Sequence, residues 1–171
     1  MDQAIEFAVG FMEMNWNNFK NDLKDVTDDE LDWRPLPESN NIRALIRHLR
    51  TVEQLFLSRL EDGDNTPWKD GASIQKLTDS ITHDFQQNLK EFEDLHNRFV
   101  SLVKGSTMAD LKAQTLSSAF SPRPQSKDSI ILGEISHIAT HRGQIRTLRN
   151  MYRRAKGEKG LFLPENPTFR E

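Results

Sequence analysis

The chain contains no cysteine. A disulfide framework, a thiolate metal site and a protein-borne cysteine nucleophile are therefore excluded, and any thiol chemistry needs a thiol from outside. Long apolar runs are missing too, so no segment reads as a membrane span. The opening stretch MDQAIEFAVGFMEMNW carries acids where a secretory leader carries a basic segment. It reads as the first helix of a cytoplasmic protein. An excess of charge of one sign is also absent: 23 basic residues against 26 acidic ones leave a net charge of -3, which gives no general pull toward nucleic acid or an anionic membrane. No internal repeat, low-complexity stretch or second domain is visible. What remains is 171 residues with 36% hydrophobic and 29% charged side chains, enough for one domain, 1–171, to bury a core without staples.

Four periodic segments fill most of that length. Between about Asp2 and Lys24, residues Ile5, Ala8, Met12, Trp16, Phe19 and Leu23 recur on one helical face. Thr27-Asp28-Asp29-Glu30 then has the form of a capping box opening a short helical turn, and Trp33-Arg34-Pro35-Leu36-Pro37 forces an extended loop. A second helix is expected over Asn41 to Glu61 with the stripe Leu45, His48, Val52, Leu55, Phe56, stopping at Asp62-Gly63-Asp64. Residues 65–71 form a loop carrying Trp68. A third pattern runs from Ser73 to Lys104 through Ile81, Phe85, Leu89, Phe92, Phe99 and Val103, with a break near Thr78. Residues 106–127 are too irregular for a long helix and are expected to cross one end of the bundle. The fourth helix starts at Asp128 or Ser129 and continues to Ala155, before a surface tail beginning at Leu161-Phe162-Leu163-Pro164.

The fold expected from this pattern is all-α, an up-and-down four-helix bundle in which the second and fourth helices run parallel. Its apolar stripes contain three histidines: His48 on the second helix, and His137 with His141 one turn apart on the fourth. At 1.5 Å per residue these lie roughly 10, 12 and 18 Å from the starts of their helices, so in a parallel arrangement their depths match. If the two helices opposed each other, a shared site would require unequal offsets. A lone histidine on an apolar face is ordinarily a hydrogen-bonded core residue. Three at compatible depths point instead to a divalent metal, because one ion satisfies several neutral imidazoles and leaves a coordination position open. His83 falls on the polar face of the third helix and His96 only flanks its stripe, so neither is needed.

Rotation at 100° per residue places Glu134 on the same face as His137 and His141, as a fourth ligand, a general base or an acceptor that orients an imidazole. The alternative is a solvated carboxylate at the mouth of the bundle. Arg142, Arg146, Arg149 and Arg153 form a stripe about 100° away from the histidines, and Asp22, Asp25, Asp28, Asp29, Glu30 and Asp32 an acidic cluster; such features are usually solvated faces. Nearly opposite the histidines, Leu132, Ser136, Ala139 and Gly143 make a small-residue row suited to close approach by another helix, within the fold or across a dimer axis.

The order of these elements resembles the DinB/YfiT-like superfamily: a Trp-Arg-Pro loop after an acidic turn, a helix reading NNIRALIRHL, and a last helix reading EISHIATHRGQIRTLR. The HRGQ continuation is the most specific part, and no motif matches over 106–127. The resemblance implies a four-helix bundle that binds a divalent metal, nickel or zinc, through His48, His137 and His141. It implies a homodimer, and a metal-dependent activity such as thiol S-transfer, with a low-molecular-weight thiol as cosubstrate, or hydrolysis. Many relatives carry a further His immediately before HRGQ; here that position is Thr140. A noncatalytic bundle that binds metal or a small ligand in a stress response is the alternative.

Overall fold

The structure is a computed structural model, and it describes residues 2–61, 63, 71–118 and 121–160. Trp68 and the segment from 161 onward lie outside the described residues. Seven helices and a hairpin follow in order: α1 (Gln3–Asp22), α2 (Asp28–Asp32), α3 (Ile42–Glu61), α4 (Gly71–Asp79), α5 (Phe85–Lys104), α6 (Met108–Ala113), β1 (Thr115–Ser118), β2 (Ser121–Ser126) and α7 (Lys127–Ala155). Local chemistry sets most of the ends. Asp2, Thr27, Asp84 and Thr107 cap α1, α2, α5 and α6 by accepting from backbone N–H groups of the first turn. Asn41 does the same for α3, its Oδ1 accepting from Ala44 N at 2.9 Å. Gly63, at φ +70°, sits just past α3 in the left-handed conformation that glycine adopts without a Cβ penalty.

The long helices α1, α3, α5 and α7 form the expected four-helix bundle. α1 packs against α5 and α7, and so does α3, so α1 and α3 stand on one diagonal. Side-chain pairs give the directions. Lys20 with Glu93 and Lys104 with Glu13 set α1 against α5. Arg50 with Glu91 and Arg98 with Glu61 make α3 and α5 parallel. Asn15 on the Ile135 carbonyl and Arg142 on Asp22 make α1 and α7 parallel. The order of directions is therefore up, down, down, up. α3 and α7 oppose each other, contrary to the parallel pairing expected from short connections: Lys127, at the start of α7, donates to the carbonyl of Leu60, at the end of α3.

Two connections account for the difference. The third helical pattern is two helices, split at residues 80–84 rather than at Thr78, which is buried within α4. α4 packs along α3 and returns the chain to the level at which α3 began, so α5 runs parallel to α3. His83 consequently lies in the link, bonded to Glu91 at 2.9 Å, and not on a helix. Between α5 and α7 the irregular segment forms α6 and an antiparallel hairpin with Thr115 opposite Ser126.

Two apolar clusters fill the bundle. One contains Ile5, Val9, Met12, Val52, Phe56, Phe99, Val103 and Ile131; the other Trp16, Phe19, Leu45, Leu49, Phe92, Ile138 and Ile145. Between them along the helices lie Asn15, Glu53, His96 and Glu134, all buried. The arginine stripe and the acidic cluster are not two solvated faces: they meet. Arg149 is 2% exposed, its Nε on Glu30 Oε1 at 2.6 Å and its other nitrogens on Glu30 Oε2 and the carbonyls of Asp22 and Lys24, while Arg142 bonds Asp22. Glu30 thus serves Arg149, while Thr27 alone supplies the side-chain cap of α2.

Candidate metal centre

Opposed helices still bring the three histidines together, because α7 is nine residues longer than α3 and overshoots its beginning. His48, six residues into α3, meets the middle of α7. His137 Nε2 stands 3.1 Å from His48 Nε2 and 3.1 Å from His141 Nε2. Donors bound to one ion at about 2.05 Å and separated by that distance subtend roughly 98°. The cluster therefore has nearly the dimensions of three ligands on a tetrahedral or octahedral ion. Gly133 assists, since a Cβ there would meet the Phe56 ring at 3.1 Å, and that ring packs edge-on against His137.

The protonation state suits the same role. Burial lowers the pKa of all three imidazoles, to about 4 for His48 and about 3 for His137, and the charge of His141 lowers both further. The cluster is neutral near pH 7, as metal-binding imidazoles must be. Three neutral rings meeting at Nε2 cannot satisfy one another: His137 Nε2 can accept one N–H or donate one, and it faces two neighbours. A cation satisfies all three. The tautomer of His141 is set by Gln144, whose Oε1 lies 2.7 Å from Nδ1 and accepts its proton, leaving the Nε2 lone pair free. Gln144 is the last letter of HRGQ, three residues along the same helix.

Beside the cluster a cavity of about 350 Å³ is lined by His48 and His141 together with Arg34, Arg47, Gln75 and Asp79. It leaves one side of His48 and His141 open. Arg34 is held at the rim by its bond to the Ser39 carbonyl, and the buried Nε of Arg47 has no hydrogen-bond partner among the described residues. Both arginines lie on the wall of this cavity.

Glu134 is elsewhere. Its Oε1 lies 3.0 Å from His96 Nδ1, and Glu53 Oε1 lies 3.6 Å from the same nitrogen; all three residues are almost wholly buried. Glu134 does not line the cavity at His48 and His141. Burial holds the pKa of Glu53 and Glu134 up; burial lowers that of His96, but the bonds to Glu134 and Glu53 outweigh it and raise the value to about 9. The signal for His96 was present in the sequence, since it falls four residues after Phe92 and three before Phe99 on the same face. Glu53 likewise follows Leu49 by four residues.

The family model of the DinB superfamily matches residues 12–145 of this chain, which takes in all three histidines. Among solved structures, YfiT from Bacillus subtilis, described as a probable metal-dependent hydrolase with an unusual four-helix bundle topology, is similar over 93% of this chain and 91% of its own, with TM-score 0.68 and 19% identity. No curated protein matches.

Proposed function

The chain belongs to the DinB superfamily, and we propose that it is a metal-dependent enzyme in which His48, His137 and His141 hold a divalent ion, nickel or zinc, at the head of the cavity lined by Arg34 and Arg47. The observation that carries this reading is the convergence of three neutral imidazoles, with His137 Nε2 3.1 Å from Nε2 of both His48 and His141, beside an open cavity. Bound there, a divalent ion lowers the pKa of water or a thiol and supplies a nucleophile at neutral pH. The protein's own part is to orient His141 through Gln144 and to attract an anionic reactant with Arg34 and Arg47. A low-molecular-weight thiol with carboxylates fits those two guanidiniums, so thiol S-transfer is the reading preferred. Hydrolysis is the second reading, favoured by Asp79 on the cavity wall, where a carboxylate can accept a proton from water.

A purely structural role predicts a closed site with a fourth protein ligand; among the described residues the cluster has three donors and an adjoining cavity. Metal analysis of the purified protein, followed by a screen of thiols against a generic electrophile, tests the proposal. His137→Ala and His141→Ala should each abolish ion retention and turnover while the helical circular dichroism persists. Wild-type protein that holds no nickel or zinc would overturn it.

A homodimer is also part of the proposal. Leu132, 68% exposed, continues into an apolar groove with Phe7, Phe11 and Ile131 between α1 and α7, and Gly143 further along α7 has open space around it. This supports a two-fold contact along the row expected from the sequence.

A further inference from the structure

The buried layer between the two apolar clusters is not explained by the three-histidine centre. Glu53, His96 and Glu134 come from three different helices, and one donor atom from each lies within 4.8 Å of the others. We propose that these three residues form a second divalent-cation site, of the manganese(II) or iron(II) kind.

Charge carries the first step. Two carboxylates and one neutral imidazole around a divalent cation sum to zero, which is what a buried site requires. Without a cation, two protons must supply that balance, one on His96 and one on a carboxylate, in keeping with the raised pKa of all three groups.

Hydrogen-bond accounting carries the second. His96 Nδ1 has one proton and gives it to Glu134 Oε1 at 3.0 Å, so among the described residues Glu53 Oε1 at 3.6 Å is left without a hydrogen-bond partner, as is Glu134 Oε2. Both residues are 1% exposed. Orphaned buried carboxylate oxygens are costly, and a cation between the three groups occupies them. The spacing about His96 fits: donors in neighbouring positions around one ion at about 2.0–2.2 Å stand about 2.9–3.4 Å apart, and Nδ1 lies 3.0 Å from Glu134 Oε1 and 3.6 Å from Glu53 Oε1, so the Glu53 contact must close by a few tenths of an ångström. Two carboxylates with one imidazole form an oxygen-rich set, whereas the neighbouring centre is all nitrogen. His96 stacks on Trp16 and borders a 360 Å³ cavity between α1 and α5, lined also by the ion pairs Lys20–Glu93 and Lys104–Glu13.

The test uses full-length His48→Ala/His141→Ala protein, which lacks the three-histidine centre, titrated with manganese(II) alone. Loss of the free-ion electron paramagnetic resonance signal should give one ion per chain, with a rise in melting temperature. Adding Glu134→Gln, or Glu53→Gln if the first variant does not fold by circular dichroism, should remove both effects. Nickel and zinc retention by the Glu134→Gln protein with all three histidines intact reports separately on the first centre. A double-histidine variant that folds but neither binds manganese(II) nor gains stability from it overturns the proposal and leaves a proton-sharing cluster.

Discussion

Replacing Arg149 by Met should be among the most destabilising single changes available in this protein. Arg149 is 2% exposed and Glu30 3%, and the guanidinium meets the carboxylate through two nitrogens, Nε at 2.6 Å and the second at 3.3 Å. Its remaining nitrogen binds the carbonyls of Asp22 and Lys24 at 2.5 and 3.1 Å, tying the end of α1 to the start of the connection. Met has a similar length and fills most of the space, so the loss is chiefly a carboxylate and two carbonyls left without partners. Breaking a buried pair in this way costs about 3–5 kcal/mol. For a domain of this size that is a fall in melting temperature of about 6–20 °C. Urea denaturation measures the free energy, and an unchanged slope with denaturant would show that the unfolded state is the same. The companion Arg149→Met/Glu30→Leu protein should recover most of the loss, because apolar replacements of both partners are often neutral or stabilising. A loss below about 1 kcal/mol in the single variant, in the range of exposed pairs, would refute the burial argument.

Three further outcomes follow from the site and its surroundings. Gln144→Ala should weaken nickel or zinc binding by about 10–100-fold without unfolding the chain, because it removes the acceptor that fixes the His141 tautomer; calorimetric titration reads it. In metal-free protein at pH 6, nitrogen NMR should show His48 and His137 neutral and His96 charged. The first two have folded pKa values of about 4 and 3, below the ordinary 6.5, so they cost stability as pH falls from 6.5 through those values. The favourable contribution of His96 is complete below 6.5 and is lost as pH rises through about 9. Sedimentation should find a wild-type dimer and a Leu132→Arg monomer, and a wild-type monomer would remove the two-fold contact.

Helix periodicity made the four long helices and most of their buried faces legible, because an amphipathic stripe depends only on neighbours along the chain. Ile5, Met12, Trp16 and Phe19 are buried as that pattern requires. Direction was not legible. It depends on what α4 does between α3 and α5, and a break near Thr78 in the helical pattern does not show that the chain turns at residues 80–84 or which way it returns. Charged residues were misjudged for a related reason: Arg149 and Glu30 are 119 positions apart, and no local rule shows that one guanidinium will be buried against one carboxylate. The histidines were visible because their spacing on α7 is local, whereas the separation of Glu134 from their cavity is a property of the whole bundle.

The opposed course of α3 and α7 has a chemical consequence. As residue numbers rise on α3 they fall on α7: His48 meets His137, Glu53 shares His96 with Glu134, Phe56 abuts Gly133 and Leu60 receives Lys127. A slip of one turn, about 5.4 Å, would break all four meetings together. It would also carry Glu53 away from His96 and Glu134 and bury its carboxylate among apolar groups, a larger penalty than a shifted leucine, since apolar packing tolerates exchange of similar groups and buried ionisable groups do not. The Glu53–His96–Glu134 layer therefore discriminates against wrong register more strongly than the apolar clusters on either side of it. The three-histidine centre, one turn away along α7, depends on that register for the 3.1 Å spacing on which its chemistry rests.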